Sequence, residues 1–385
     1  MKSNYRKIGD FIKLVDERNK GLKVTNLVGL SISKQFIKSV ANTIGTDMEN
    51  YKIIRKNQFA CSTMQVRRDK KMPLALYNDS EPAIISQAYP IFEINDTTKL
   101  LPEYLMMWFT RTEFDREACF HTDADVRGGL PWSAFCDLEL PIPPIEKQQE
   151  IIREYHTIQN RVALNNQLIS KLEETAQVMY NNIISSEDSL EKYRLGDLIE
   201  IKGGFSYNSV DIGKGNSYLL SMGCVSFTDR FLESGMRLYS DNIPETHIVT
   251  SKDIIIATRQ QSENMPILGF PAMIPTNLSD KRLVIASNLY RVINNSKLSN
   301  EFIFQILKSE EYQNRIKEQT KGTTVGMITK DAIEDFIFEA PNFEILISSQ
   351  VKIKKIIEII FIKREESQKL GELKDLLLAK MTRLD

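Results

Sequence analysis

The stretch PIPPIEKQQEIIREYHTIQNRVALNNQLISKLEETAQVMY, Pro141 to Tyr180, lies close to the middle of a 385-residue chain. It opens on a proline staple and then reads as one helix, far longer than a globular helix usually is. Ile151, Tyr155, Ile158, Val162, Asn165, Ile169, Leu172, Ala176 and Met179 recur at alternating four- and three-residue steps. That period is a coiled-coil seam, not the broader stripe of a surface helix. The end of the chain offers a second such helix. It carries Ile353, Ile356 and Ile360, a charged middle KREES, then Leu370, Leu373 and Leu377. Asn165 and the polar stretch Lys363 to Ser367 both fall mid-helix. The two helices can satisfy each other's seams as an antiparallel pair. The competing arrangements are a homodimeric coiled coil, and each helix packing on its own globular domain. At ~1.5 Å per residue, about 35 residues make a rod of ~50 Å. Antiparallel pairing would place one globular domain at each end, related by a pseudo-two-fold axis, with the helices as a ruler between them.

What lies on either side of the central helix is similar. YRKIGDFI (5–12) returns as YRLGDLIEI (193–201), NLVGLSISKQF (26–36) as YLLSMGCVSF (218–227), and YKIIRKNQFACST (51–63) as HIVTSKDIIIATR (247–259). ISQAYPIFEIND (85–96) returns as IASNLYRVINN (285–295), LPEYLMMWFTRTEF (101–114) as LSNEFIFQILKSEEY (298–312), and DLELPIPPIE (137–146) as DFIFEAPNFE (335–344). Each match alone is weak, but their common order and nearly constant offset mark a duplication. The repeat is too long for a solenoid unit. It is a domain followed by a helix, present twice.

Boundaries follow: a first domain over 1–144, a helix over 145–182, a linker over 183–192, a second domain over 193–344 and a second helix over 345–385. Within each domain, short β-branched runs broken by Gly, Pro, Asn and Asp read as strands with turns. Amphipathic helices are expected near 101–118 and 299–319. The expected class is α+β: two duplicated α/β domains separated by two long helices that form an antiparallel coiled coil.

The bulk numbers fit a soluble globular protein of two or three domains, at 42% hydrophobic and 26% charged residues. A net charge of −1 advertises no global basic field, although a local basic face can be offset elsewhere. The N-terminus has no uninterrupted apolar run of the kind a signal peptide needs. IIEIIFI (356–362) contains Glu358 and is far too short to span a bilayer. Cys61, Cys119, Cys136 and Cys224 form no CxxC pair, and the histidines are scattered, so no zinc spacing exists. Free thiols in a reducing cytoplasm are the plain reading, with no metal.

Catalytic motifs are missing from the sequence. DIGKGNS (211–217) lacks the leading glycine and the hydroxyl of a phosphate-binding loop, and KGGF (202–205) is a turn. Pro143-Pro144 follow Ile142, not the Asn or Asp of an amino-methyltransferase motif. His121, His156 and His247 have no nucleophile nearby in sequence. What remains is binding chemistry. Lys52, Arg55, Lys56, Arg67, Arg68, Lys70 and Lys71 face only Asp69, and Arg67 to Lys71 fit a loop after the strand QFACSTMQV. Such a loop can offer cations to phosphates and paired donors to guanine. The matching loop of the second half holds Arg259, Gln260, Gln261 and Asn264, residue types suited to guanine and adenine edges. A solvated polar loop is the alternative. Two equivalent polar loops that differ in sequence suit two readers of different sequences.

This layout resembles, over essentially the whole chain, the specificity (S) subunits of type I restriction–modification systems. The carriers are YKIIRKNQFACSTM, ISQAYPIFEIND, LPEYLMMWFTRTEF and above all DLELPIPPIEKQQEI, with their second-half counterparts. The resemblance implies a non-catalytic host-defence subunit with two target-recognition domains. Each domain would read one half of a bipartite, non-palindromic DNA target, while the helices set the spacer. It implies two partner methyltransferase (modification) subunits that bind S-adenosylmethionine and methylate adenine, and ATP- and Mg-dependent restriction subunits, with no cofactor in this chain. DNA-facing segments carried over by position are Gln65 to Lys71 and Arg259 to Asn264. Further ones are Ser86, Gln87, Ser287, Asn288, Arg127 with Gly128, and Lys321, Thr323 and Thr324. Two departures exist: the second helix opens APNFEILISSQ, with one proline and extra residues, and the first glycine loop reads RGGLPW against KGTTVG. Other readings are a coiled-coil scaffold that binds no DNA, or the recognition part of a stand-alone methyltransferase or type IIB-like system.

Overall fold

The short β-branched runs form strands, and they assemble in the same way twice in the computed structural model, which describes residues 5–39, 45–123, 128–186, 189–227, 230–260, 267–320 and 326–383. The chain divides into two compact units, Met1–Val162 with Lys369–Asp385, and Ala163–Gln368.

The strands of the first unit are β1 (Tyr5–Lys7), β2 (Ile12–Val15), β3 (Val28–Leu30), β4 (Phe36–Lys38), β5 (Lys52–Ile54), β6 (Phe59–Cys61), β7 (Leu74–Leu76), β8 (Ala83–Ile85), β9 (Ile91–Ile94) and β10 (Glu139–Pro141). One four-stranded sheet has the order β2-β9-β6-β7. The pairs β3–β4 and β5–β8 form a second layer, joined by a parallel bridge between Leu27 and Ile84. β1 pairs with β10 and ties the start of the domain to its end. Helices α1 (Val66–Asp69), α2 (Pro102–Phe109), α3 (Thr112–Phe120) and α4 (Trp132–Asp137) complete it. Its core is aromatic: Phe59 stacks on Phe92 at 4.9 Å, and Phe109 meets Phe114 at 4.8 Å and Phe135 at 5.8 Å. Each ring contributes about 2–3 kcal/mol by burial, with further gain from the stacked Phe59–Phe92 pair and from Phe92 meeting Phe109 edge to face at 6.4 Å.

From Pro144 the long helix α5 (Ile145–Ile184) leaves this domain. The second unit then contributes β11 (Glu191–Arg194), β12 (Ile199–Gly203), β13 (Ile212–Leu220), β14 (Val225–Ser226), β15 (Arg230–Phe231), β16 (Arg237–Tyr239), β17 (Ile248–Val249), β18 (Ile254–Ala257), β19 (Arg259–Gln260), β20 (Pro271–Met273), β21 (Leu283–Ile285), β22 (Leu289–Asn294), β23 (Gly326–Met327) and β24 (Ile337–Ala340). Its sheets run β12-β22-β18-β20 and β16-β13-β21-β17, with β13 and β21 parallel and β11 closed on β24. Each has its counterpart in the first unit, including the parallel contact. Helices α6 (Asn300–Lys308), α7 (Glu310–Glu318) and α8 (Lys330–Glu334) repeat α2 to α4, and α9 (Phe343–Lys380) repeats α5.

Several expectations shift. Each amphipathic helix is two helices: the first breaks at Arg111, in an extended conformation, and the second at Ser309. Ser309 ends α6 and caps α7 by accepting from Tyr312 N at 3.2 Å. The repeat register in the β6 and β18 region slips by one residue. Asn57 and Lys252 both adopt φ of 68°, and their N–H groups donate to Tyr77 O and Ile274 O at 2.9 and 2.8 Å. The shared turn thus matches Asn57 with Lys252, not Lys56 with Lys252. Helix α5 runs two residues past the expected end at 182, and β11 begins at Glu191, so the linker is shorter than 183–192. Helix α9 starts at Phe343, ahead of 345, and ends at Lys380 before a 3-10 turn.

The long helices are of 40 and 38 residues, or ~60 and ~57 Å at 1.5 Å each. Pro144 O accepts the first helical bonds, from Lys147 N and Gln148 N at 2.9 and 3.1 Å. Pro143 and Pro144 have no N–H to leave unsatisfied. Asn342 does the corresponding work for α9, its side chain accepting from Ile345 N at 3.2 Å. In the first unit Ile151, Ile152 and Tyr155 pack both on their own domain and against Leu377, Leu378 and Met381. In the second unit Ala176 and Tyr180 pack with Ile353, Ile357, Ile360 and Phe361. The start of one helix therefore meets the end of the other, the antiparallel sense. Of the expected seam of α5, Ile151, Tyr155, Ile158 and Asn165 are buried, and Ile169 and Leu172 are half-buried against the core. The expected seam of α9 is out of phase. Leu373 is 50% exposed, Ile356, Leu370 and Leu377 are half-buried, and Ile357, Phe361 and Leu378 take the buried positions beside Ile360.

One amide fixes α5 to its domain. Gln148 is 0% exposed; its Oε1 accepts from Leu101 N at 2.9 Å, and its Nε2 donates to Lys99 O at 2.8 Å and Pro143 O at 2.9 Å. Gln350 repeats these contacts in α9, accepting from Ser299 N and donating to Lys297 O at 3.3 Å near the surface. Removing the Gln148 amide leaves a buried N–H and two carbonyls unpaired, so Gln148→Ala is expected to destabilise the first unit by about 2–4 kcal/mol. Both tryptophans, Trp108 and Trp132, lie in that unit. Tryptophan-detected urea unfolding should therefore report a clear drop for Gln148→Ala and a much smaller change for Gln350→Ala.

Candidate nucleic-acid interface

The segment between β6 and β7 is a closed excursion, held at its neck by Ser62 N donating to Pro73 O at 2.8 Å. The expected loop over Arg67 to Lys71 contains a helical turn, α1, flanked by Gln65 and Lys70 in left-handed conformations with φ of 64° and 52°. Buried Val66 and Met72 plug the turn into the core, which turns Arg67, Arg68, Lys70 and Lys71 outward to solvent. Arg68 is tied to Asp69 at 2.7 Å, and that hydrogen bond holds the Asp69 carboxyl below its ordinary range. No ion pair involves Arg67, Lys70 or Lys71 among the described residues.

Other predicted segments converge on this turn. Gly128 O accepts from Arg67 N at 3.2 Å, and Leu130 N donates to Thr63 O at 2.8 Å. Gly128 has φ of +55°, and a Cβ there would lie 2.2 Å from the Arg67 Cβ, so only glycine lets the two segments touch. Pro90 O accepts from Cys61 N at 3.1 Å, which brings the turn carrying half-buried Ser86 and exposed Gln87 to the exit of β6.

The second unit makes the same convergence with other residues. Past β18, Thr258 N donates to Asn288 O at 3.2 Å, and Ile328 N donates to Thr258 O at 3.1 Å. Arg259 and Gln260 pair as β19 with Met327 and Gly326 of β23. Arg259 and Ser287 are exposed, and Asn288 is half-buried with its Oδ1 lacking a hydrogen-bond partner among the described residues. Arg127, Gln261, Asn264, Lys321, Thr323 and Thr324 lie outside the described residues.

Some predicted binding groups are committed to the fold. Gln260 Oε1 accepts from Ile267 N at 2.7 Å and Leu268 N at 3.1 Å, closing its own loop rather than reaching out. Lys52 donates to Tyr89 O at 3.0 Å, bracing the Ser86 turn, and Arg55 forms a paired contact with Glu17 at 2.7 and 2.9 Å.

A buried ion pair escaped the sequence reading. Lys34 Nζ lies 2.7 Å from Asp115 Oδ1, with side chains only 7% and 10% exposed. It also donates to Phe109 O at 2.6 Å. Asp115 Oδ1 in turn accepts from Met72 N at 3.1 Å, at the end of the basic excursion. Burial pulls the Lys34 ammonium below its ordinary pKa, while Asp115 opposes that pull. Nothing in SISKQF or TEFDRE distinguishes these residues from surface charges. Lys34→Met would strand a buried carboxylate, at a cost of about 3–5 kcal/mol. Tryptophan-detected unfolding should show that loss, and Lys34→Met with Asp115→Asn should recover part of it.

Residues 187–375 match the family described as Type I restriction modification DNA specificity domain. Two curated proteins are similar. The Type I restriction enzyme MjaVIII specificity subunit of Methanocaldococcus jannaschii is 22% identical over 62% of this chain, and the match spans only 60% of that protein's length. The Type I restriction enzyme HindI specificity subunit of Haemophilus influenzae is 20% identical over 86% of each chain. Among solved structures, the Type-I restriction-modification system S subunit from M. genitalium aligns with a TM-score of 0.59 at 12% identity, covering 98% of this chain and 95% of that one. That likeness is one of fold.

Proposed function

We infer that this chain, a member of the type I restriction–modification specificity-subunit family, is the DNA-reading, non-catalytic subunit of a cytoplasmic restriction–modification complex. Each unit reads one half of a bipartite target. The observation that carries this is that one two-layered domain is built twice, with different polar side chains exposed beyond the equivalent strands β6 and β18: a basic turn at Arg67 to Lys71 in one, and Arg259 and Ser287 in the other. Identical scaffolds with dissimilar reading edges suit a non-palindromic sequence. The first edge is richer in cations and suits phosphates. The exposed Arg259 guanidinium suits base edges.

Methyl transfer and cleavage belong to partners in this reading: two methyltransferase subunits carrying S-adenosylmethionine, and restriction subunits using ATP and Mg. The helices offer the docking surface. Opposite the buried face of α9, at 100° per residue, lie exposed Val351, Ile359, Ile362, Leu373 and Leu376. Helix α5 exposes Leu164, Leu168 and Val178. A helix apolar on two faces has room for a second helical partner.

Two tests follow. Lys70→Ala with Lys71→Ala removes two exposed cations without touching the core. Binding to every duplex should weaken, and the log–log salt dependence should become shallower by roughly one to two units. Unchanged binding would remove this turn from the interface.

The second test concerns spacing, which the long helices set. A four-residue insertion within 170–174 lengthens α5 by ~6 Å, close to two base pairs at about 3.4 Å each. Methylated-adenine sequencing in cells carrying the partner methyltransferase should then return the same two half-sites with a longer spacer. Altered bases within a half-site, or an unchanged spacer with activity retained, would show that the helices are not the ruler.

A further inference from the structure

We propose that Phe120 is a base-stacking wedge, an aromatic ring that inserts at a base step of the half-site read by the first unit. The proposal rests on reading that unit as a DNA-binding module, and it adds a distortion step to that reading.

Phe120 closes α3 and is 81% exposed, the most exposed large apolar side chain among the described residues. Single exposed apolar residues are common and need no function. The setting of this one is particular. Helix α3 supports the basic excursion directly, because its Asp115 accepts from Met72 N at 3.1 Å. The chain leaving α3 returns at once to the excursion: Asp123 N donates to Gly129 O at 2.9 Å, and Gly128 O accepts from Arg67 N at 3.2 Å. Phe120 therefore stands at the edge of the surface that presents Arg67, Arg68, Lys70 and Lys71. Phe114, Asp115 and Ala118 turn into the unit, while Phe120 shares its exposed face with Glu117 and with Arg116, which is paired with Glu113 at 3.3 Å. His121 meets the Phe120 ring edge-on at 5.3 Å.

The fold does not require this ring. In α7, Tyr312 and Ile316 hold the core positions that Phe114 and Ala118 hold in α3, and the residue matching Phe120 is Glu318. Beside the exposed cations of the excursion, the occupant complementary to such a ring is a nucleic-acid base. Every base has a face to stack on, and phenylalanine is among the side chains that kink duplexes by entering a base step. An apolar protein partner would instead call for a wider apolar patch and fewer uncompensated cations.

The test uses the full chain with its partner methyltransferase and a duplex carrying the target found from methylated adenines. 2-Aminopurine is placed at successive positions of the half-site read by the first unit. The wild-type complex should raise fluorescence at one step. Phe120→Ala should abolish that rise and weaken binding roughly tenfold, with the salt dependence unchanged because no charge is removed. Phe120→Trp should keep the rise, and its own emission should be quenched on binding. The proposal is overturned if Phe120→Ala matches wild type in fluorescence and affinity. It is also overturned if that variant loses the methyltransferase instead of the distortion. A wild-type complex that fails to bind duplex would bring down the DNA-reading assignment itself, a separate result from a Phe120→Ala variant that binds and distorts normally.

Discussion

An amide hydrogen-bonded at the root of each long helix governs what the rest of the helix can do. A helix rotates by about 100° per residue, so a seam faces its partner only if the rotation at the origin is fixed. Gln148 fixes it by bonding to the main chain at Leu101, Lys99 and Pro143, and Gln350 by bonding at Ser299 and Lys297. Counted from these residues the two seams coincide. Ile151, Tyr155 and Ile158 follow Gln148 at the steps by which Ile353, Ile357 and Ile360 follow Gln350, and all six are buried. The extra residues in the opening of α9 therefore add one turn between the cap and the amide and leave the phase of the seam intact.

That relation explains what could be seen in the sequence. The seam of α5 is legible because its apolar residues are sparse and its other faces are polar. In α9, IIEIIFI puts isoleucine on nearly every face, and the period alone cannot choose among them. Ile356 and Leu373 satisfy the spacing as well as Ile357 and Leu378 do. The choice belongs to Gln350, whose partners lie some 50 residues earlier in the chain and leave no local mark. The duplication was legible for a different reason. Each copy must reproduce the same strand order and the same closure of β1 on β10 or β11 on β24, so its apolar punctuation survives even where the residues differ. The one-residue slip at Asn57 and Lys252 has a similar origin, since a shared left-handed backbone outweighs a shared lysine.

The exposed polar segments were legible only in outline. A run of cations marks a surface, but its composition does not say which charges are already committed. Lys52 and Arg55 belong to the same run as Lys70 and Lys71, yet the first two brace main chain and carboxylate while the last two face solvent. Gln260 has the chemistry of an adenine reader and is occupied in closing its loop. Long-range partners decide these roles, as they do for Lys34 and Asp115. The positions that stay uncommitted are those whose backbone is anchored on both sides by buried residues, as Val66 and Met72 anchor the basic turn. Such anchoring frees the intervening side chains to change without cost to the core.

The middle of the helix pair follows a different logic from its ends. Glu173 of α5 and Arg364 of α9 lie 2.7 Å apart with both side chains largely shielded, while Asn165 Nδ2 and Ser367 Oγ are buried without hydrogen-bond partners among the described residues. Leucine at these positions would add more apolar burial, so stability alone does not account for them. Sliding one helix by a turn would separate Glu173 from Arg364, so the ion pair favours the register in which the two meet. An all-apolar seam would tolerate the same slide, because isoleucine packs on isoleucine in either register. Polar residues in the seam thus exchange affinity between the helices for a single alignment. What the exchange secures is a single register, which depends on the alternatives being costly and not on the chosen register being as tight as it could be.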